Sequence, residues 1–183
     1  MKTSTPPITY HPPPTILIMG IGNYLMADEG VGVHLVERLA SMKLPPGIDI
    51  LDGGTGGFHL LEYFERYPQV ILVDATLDGR APGTIRRIRP RFASDFPQAM
   101  STHDIGLKDL VGALQLLDRM PVIDLFVVSI ASIQDQGIEL TPLVASVMDI
   151  LAEEVLDTAK MRMKQLTSYT PPQSVPAAPY AHG

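Results

Sequence analysis

Short apolar runs alternate with helix-like segments along most of this chain, and this alternation restricts the fold to a sheet covered by helices. The runs lie at residues 15–19, 48–51, 70–73 and 123–130 and are rich in Val, Ile and Leu. Runs of this length are typical of strands that are buried on both faces of a parallel sheet. We expect the last run, which is the most apolar, to be the central strand.

Helical periodicity is predicted between these strands, at residues 30–42, 58–66, 104–118 and 141–165. The last of these segments begins with Thr141-Pro142, an N-cap followed by proline at the first helical position. A further segment, residues 84–89, alternates β-branched and basic residues as an exposed edge strand does. The order βαβαββαβα predicts a three-layer α/β sandwich with a five-stranded, mostly parallel twisted sheet.

Composition limits the domain organisation and the partners. The 183 residues suffice for one domain, which we place at residues 15–166. The flanking segments 1–14 and 167–183 are rich in proline and are predicted to be flexible tails. The net charge of −6 argues against a nucleic-acid partner, and the absence of cysteine excludes thiolate metal sites. Without a signal peptide or membrane segment, we expect a cytoplasmic protein.

Three acidic residues follow the first three apolar runs: Glu29, Asp52 and Asp74. The carboxyl ends of parallel strands open onto one crevice, and ligands of open α/β sheets bind there. Carboxylates that converge on one edge repel each other unless a cation joins them. The sequence therefore predicts a cation or catalytic site at this edge.

Each acidic residue also has an alternative, purely structural interpretation. Glu29 could stabilise the dipole of the helix that follows it. Asp52 opens the glycine-rich segment 53–57 and could simply form a turn there. Asp74 could form an ion pair with Arg86 or Arg87.

A dinucleotide-binding loop is the competing interpretation of the first strand–helix junction. Gly20 and Gly22 follow a strand and precede a helix, as that fingerprint requires. However, the position of the third glycine is occupied by Leu25. Asp28 and Glu29 also lie where a pyrophosphate would dock, and their charges would repel it.

One histidine is placed for ligation. His103 lies in a loop between the edge strand and the next helix, although it could also belong to that helix's cap. The other four histidines lie in the tails or inside helical segments. With Glu29 and Asp74, His103 makes a mixed oxygen and nitrogen set that suits Ni²⁺, Zn²⁺ or Co²⁺.

Five short motifs occur in a recognisable order over about residues 15–160. They lie at residues 16–32, 52–55, 73–75, 81–84 and 101–107. Together they resemble the nickel–iron hydrogenase maturation proteases. The resemblance implies a phosphorylase/hydrolase-like fold with helices on both faces of the sheet. It also implies one antiparallel strand, which we assign to the edge strand at residues 84–89.

The same resemblance implies an endopeptidase that removes a short C-terminal extension from the hydrogenase large-subunit precursor after nickel insertion. Its partner would be the nickel-loaded precursor, with no nucleic acid or membrane involved. No cofactor would be permanently bound, because the substrate supplies Ni²⁺, for which Zn²⁺ or Cd²⁺ could substitute. The family's metal-contacting residues fall on Glu29, Asp74 and His103, and Asp52 is the candidate for catalysis or orientation.

The chemical step stays open at this stage. Either the metal polarises the scissile carbonyl or a carboxylate activates water. No Ser or Cys is evidently placed as a nucleophile, so direct attack by water is favoured. A dinucleotide-binding module and a non-cleaving, nickel-sensing chaperone of the same fold are the alternatives.

Overall fold

Helices cover both faces of one mixed sheet in the computed structural model of this protein. The structure describes residues 15–97, 104–117, 120–133 and 136–168. His103 lies outside the described residues, as do the whole of the predicted N-terminal tail and most of the C-terminal one.

The sheet confirms the predicted topology. Its strand order is β2-β1-β3-β5-β4, with β4 antiparallel to β5 and every other pairing parallel. The predicted edge strand is therefore the antiparallel one, as the resemblance implied. The last apolar run was expected to be the central strand, but the central strand is β3. The last run forms β5, which lies next to the edge strand β4. The strands are β1 (Ile16–Gly20), β2 (Ile48–Asp52), β3 (Gln69–Thr76), β4 (Ile85–Ile88) and β5 (Val122–Ser129).

In the described part of the chain, five α-helices pack on the sheet, two of them on one face and three on the other. The helix predicted for residues 141–165 is broken by a turn at residues 146–147 and continues to Ser168. Short 3₁₀ turns, Ala27–Gly30 and Phe58–Leu60, lead into the first two helices. The helices are α1 (Val31–Ala40), α2 (Leu61–Arg66), α3 (Asp104–Leu116), α4 (Pro142–Ala145) and α5 (Met148–Ser168).

Strand β1 shows why continuous apolar runs were informative. Ile16 and Ile18 pack into the core beneath α1 and α5, while Leu17 and Met19 pack into the core beneath α2 and α3. Successive side chains of a strand point to opposite faces, so a strand with helices on both sides must be apolar throughout. None of the helices in the described part of the chain has the length and apolarity needed to cross a membrane.

Candidate functional site

The carboxyl edge of the sheet, where β1, β2, β3 and β5 end, carries two of the predicted acidic residues, Asp52 on β2 and Asp74 on β3. Gly20 at the end of β1 is in register with Asp52 on one side and Val73 on the other. Asp74 therefore lies one residue beyond that level, on the neighbouring strand. This agrees with the expectation that acids following the apolar runs share one edge.

Glycines in the β1–α1 loop allow the backbone to fold tightly over this edge. The Gly22 N–H donates to the Gly54 carbonyl at 2.8 Å, and Ile21 N–H donates to the Val73 carbonyl at 2.8 Å. Gly22 has φ +143°, and a Cβ there would lie 1.9 Å from the Glu29 carbonyl oxygen. Close backbone packing therefore explains this glycine, and no pyrophosphate is needed to account for it.

A second loop is joined to the first beside the acidic residues. Ala27 N–H donates to the Gly137 carbonyl at 2.7 Å, and Gly137 N–H donates to the Leu25 carbonyl at 2.9 Å. These bonds form a short parallel bridge between the β1–α1 loop and the segment after β5. Ala27 has φ 48°, a left-handed conformation that costs a residue with a Cβ roughly 1–2 kcal/mol. Strain is therefore stored directly before Asp28 and Glu29.

Asp28 has a structural role that the sequence did not reveal. Its side chain is fully buried, and Oδ1 accepts a hydrogen bond from Thr141 N–H at 2.7 Å. The Thr141 hydroxyl donates to Asp28 Oδ2 at 2.8 Å. Thr141 does occupy the predicted N-cap position, but its hydroxyl binds Asp28 instead of the helix backbone. Asp28 thereby fixes the start of α4 against the β1–α1 loop.

Glu29 is a buried acidic residue at the carboxyl edge. It is only 1% exposed, and neither Oε1 nor Oε2 has a hydrogen-bond partner among the described residues. The 3₁₀ turn that carries Glu29 packs against β3, the strand of Asp74. Burial of an unpaired carboxylate costs several kcal/mol, so this position is suited to a ligand and poorly suited to a purely structural role.

Asp74 is buried within β3. Its Oδ1 accepts a 2.7 Å hydrogen bond from the backbone N–H of the next residue. The arginines considered as its partners bind elsewhere, because Arg86 pairs with Asp78 and Arg87 pairs with Asp124. The ion pairs of these two arginines therefore give no support to the alternative that either one neutralises Asp74.

Asp52 lies exposed at the end of β2. Its Oδ1 accepts the Gly54 N–H at 2.8 Å, and Gly54 has φ +53°. This is the side-chain turn expected from an aspartate that precedes glycines. The turn fixes the carboxylate at the carboxyl edge, so the structural interpretation and a functional one are compatible.

The third predicted metal ligand, His103, lies outside the described residues. Among the residues that the structure does describe, no three His, Asp or Glu side chains are grouped to hold a metal ion. The structure thus places Glu29 and Asp74 in buried positions at the carboxyl edge, and the complete ligand set stays a prediction.

Sequence reasoning missed Ala27, Gly137 and the Asp28–Thr141 pair. No local signal marks the pair, because 113 positions separate its two residues. Ala27 has no marker either, since a left-handed position is usually occupied by Gly or Asn. The glycine at 137 was the only available hint, because glycines often occur where two backbones approach closely.

Acidic residues at the carboxyl edge of a mixed five-stranded sheet define an α/β protein with a candidate site at that edge. The family model for "Hydrogenase maturation protease" matches residues 33–158, which is more than half of the chain. The chain therefore belongs to the hydrogenase maturation protease family, and it is a peptidase.

Individual relatives agree with this assignment. HupD of Rhodobacter capsulatus, a hydrogenase expression/formation protein, is 37% identical over 148 residues, covering 79% of this chain and 70% of the relative. The hydrogenase 2 maturation protease of Escherichia coli K12 is 35% identical over 144 residues, covering 77% and 88%. The solved structure of the E. coli maturating endopeptidase HybD superposes with a TM-score of 0.73 at 34% identity, covering 81% of this chain and 93% of HybD.

Proposed function

We propose that this protein cleaves a C-terminal extension from a hydrogenase large-subunit precursor after nickel insertion, and that it recognises the nickel carried by that substrate. Membership of the maturation protease family supports endopeptidase action on a hydrogenase. Recognition of nickel is supported by one observation. The buried carboxylate oxygens of Glu29 have no hydrogen-bond partner in the described part of the chain.

A substrate-borne cation would supply the charge that Glu29 requires. Glu29 and Asp74 provide carboxylate oxygens from two elements that pack together at the carboxyl edge. The family resemblance adds the imidazole of His103. Carboxylate and imidazole ligands suit divalent first-row metals, including Ni²⁺. Three protein ligands also leave coordination positions open for ligands from the precursor, so no permanently bound metal is required.

Asp52 is the residue we propose to orient the scissile bond or to activate water beside it. Its backbone is in register with Gly20, and its Oδ1 is held by the Gly54 N–H. The adjoining glycine-rich loop, residues 53–57, presents mainly backbone to an incoming chain. Such a loop can receive an extended segment but selects side chains weakly, so specificity must come from elsewhere.

Exposed apolar side chains around the same edge support a folded protein as the substrate. Leu25 in the β1–α1 loop, Phe58 after β2 and Ile138 after β5 are all largely exposed. Large apolar side chains that are exposed near a site are typical of protein-binding surfaces. Metal contact and surface contact together would distinguish the loaded precursor from other proteins.

The proposal is tested by digesting three substrates and measuring the products by mass spectrometry. Nickel-loaded precursor should be cut once near its C-terminus, whereas nickel-free precursor and denatured casein should stay intact. A metal contact of several kcal/mol corresponds to about 10³-fold discrimination. Equal cleavage of nickel-free precursor, or sustained casein hydrolysis, would contradict nickel-dependent recognition.

A further inference from the structure

A second buried carboxylate lies at the opposite, amino edge of the sheet, where β1, β3 and β5 begin. Asp124 in β5 is 1% exposed and accepts hydrogen bonds from three arginines. Arg87 donates to Oδ1 through Nε at 2.9 Å and through Nη2 at 2.8 Å. Arg89 Nε donates to Oδ1 at 3.0 Å, and Arg162 Nε donates to Oδ2 at 2.6 Å.

The charges of this cluster do not balance. Three guanidinium groups surround a single carboxylate, which leaves an excess of two positive charges in a chain with a net charge of −6. No other carboxylate pairs with these arginines within the described residues. Arg162 Nη1 donates instead to the neutral amide oxygen of Gln165 at 3.1 Å. The cluster therefore keeps unused guanidinium donors beside a fully occupied aspartate.

A cavity of about 340 Å³ is lined by two arginines of this cluster, Arg89 and Arg162. Arg89, Arg91 and Arg162 form its basic part. Arg162 is more than nine-tenths buried. Arg91 is exposed, and its backbone N–H donates to Asp95 Oδ2 at 2.8 Å. The remaining wall is apolar and includes Met120, Pro121 and Val122.

We propose that this arginine cavity binds a phosphoryl group carried by a small molecule whose apolar part lies against Met120 and Val122. The forked donors of arginine match the oxygens of phosphate and can bind two of them at once. A phosphoryl dianion also neutralises the two excess charges, which a single carboxylate does not. Like charges close together beside an apolar wall are unfavourable without such an anion.

This site is distinct from the peptidase site. It lies at the amino edge, whereas Glu29, Asp52 and Asp74 lie at the carboxyl edge. The proposal is thus independent of nickel recognition, and either one can fail without the other.

Thermal unfolding in the presence of model anions tests the proposal on the full chain. The probes are phenyl phosphate, inorganic phosphate and benzoate at about pH 8, with sodium chloride used to keep the ionic strength constant. Phenyl phosphate should raise Tm saturably by about 2–4 °C, because it combines the dianion with an apolar group. Inorganic phosphate should act more weakly, and benzoate should have little effect.

Three arginine variants make the measurement specific to the cavity. Arg89→Gln and Arg91→Gln should each weaken the apparent affinity for phenyl phosphate about tenfold or more. Arg80→Gln is the matched control, since the Arg80 side chain is 57% exposed and Arg89 is 56% exposed, and each pairs with an aspartate through Nε. The control should respond to phenyl phosphate as the unmodified protein does.

NMR of the unmodified protein gives a reading that does not depend on how the variants fold. The Nε–H signals of Arg89 and Arg162 should shift during a phenyl phosphate titration, with the same saturation point as the Tm effect. An equal Tm response in Arg91→Gln and the unmodified protein would overturn the proposal. So would arginine signals that do not move, because the cluster would then serve only to hold β4 and α5 against Asp124.

Discussion

Glu29 and Asp124 are equally buried, each with 1% of its surface exposed, yet their surroundings are opposite. Asp124 at the amino edge accepts hydrogen bonds from three arginines. Glu29 at the carboxyl edge has no hydrogen-bond partner for either oxygen within the described residues. The carboxylate of Asp124 therefore has hydrogen-bond partners on both oxygens, whereas the carboxylate of Glu29 has none among the described residues.

This difference separates two roles of a buried charge. A buried carboxylate with excellent partners can tie elements together, and here Asp124 joins β4, β5 and α5. A buried carboxylate without partners lowers stability and persists where a ligand completes it, as functional sites commonly do. The two residues should therefore respond to substitution in opposite ways.

The largest effect is expected for Glu29→Gln. Precursor processing should fall about 10³-fold, because the substrate's cation loses a charged contact. The free energy of unfolding should stay unchanged or rise, since an uncompensated buried charge is removed. Mass-spectrometric processing assays and thermal unfolding measure the two quantities. Full processing by Glu29→Gln would show that its burial has no functional meaning.

The neighbouring residue provides a matched control for this prediction. Asp28 is equally buried but binds Thr141 through both oxygens. Asp28→Asn should lower stability by roughly 1–3 kcal/mol, because an amide nitrogen cannot accept the Thr141 hydroxyl proton. The processing rate of Asp28→Asn should fall only in proportion to the fraction of the protein that is unfolded.

The next effect concerns the compensated carboxylate. Asp124→Asn leaves three guanidinium groups without their anion and should lower the free energy of unfolding by about 3 kcal/mol. Equilibrium denaturation with urea measures this change. The processing activity of the protein that remains folded should be normal. A loss of activity without a loss of stability would contradict the assignment of a structural role to the amino edge and a functional role to the carboxyl edge.

Asp52→Asn should have a smaller effect on processing than Glu29→Gln. The amide oxygen can still accept the Gly54 N–H, so the turn and the fold should survive. Processing should fall about 10²-fold if the carboxylate activates water or orients the substrate. The measurement is the rate of cleavage of nickel-loaded precursor, and circular dichroism checks that the variant is folded. An unchanged rate would leave Asp52 as a turn residue only.

The smallest effect is a pH dependence of stability. Burial alone would raise the pKa of Asp124, but hydrogen bonds from Arg162, Arg87 and Arg89 outweigh burial and hold it below the ordinary value of 3.8. Its contribution to stability is therefore present above the unfolded pKa and is lost as pH falls through the folded one. Tm should drop more steeply below about pH 4 in the unmodified protein than in Asp124→Asn. Parallel curves for the two proteins would contradict this assignment.

Most of the fold could be predicted because buried parallel strands leave a strong local pattern. The apolar runs located the parallel strands, and the alternation at residues 84–89 located the antiparallel edge strand. The break at residues 146–147 was not predictable, because the local sequence favours one continuous helix. The start of that helix is fixed by Asp28, a contact that no local pattern encodes.

The two edges were predictable to different extents. The position of Glu29 after a strand indicated a site, since strand ends share one crevice in this architecture. No local pattern marks Asp124 as a paired carboxylate, because its partners lie 35 to 38 positions away in sequence. Charge compensation depends on such distant contacts, so the sequence could not show which carboxylate is paired.

The hydrogen bonds between Asp28 and Thr141 also have a consequence for biosynthesis. They join residues 113 positions apart, so the loop that carries Glu29 is not fixed until the ribosome has released the segment beyond β5. A nascent chain that ends just before Thr141 contains all five strands but cannot form these hydrogen bonds. The long sequence separation also predicts that the loop is fixed late during folding. Peptidase activity should therefore appear only once the last quarter of the chain has been synthesised.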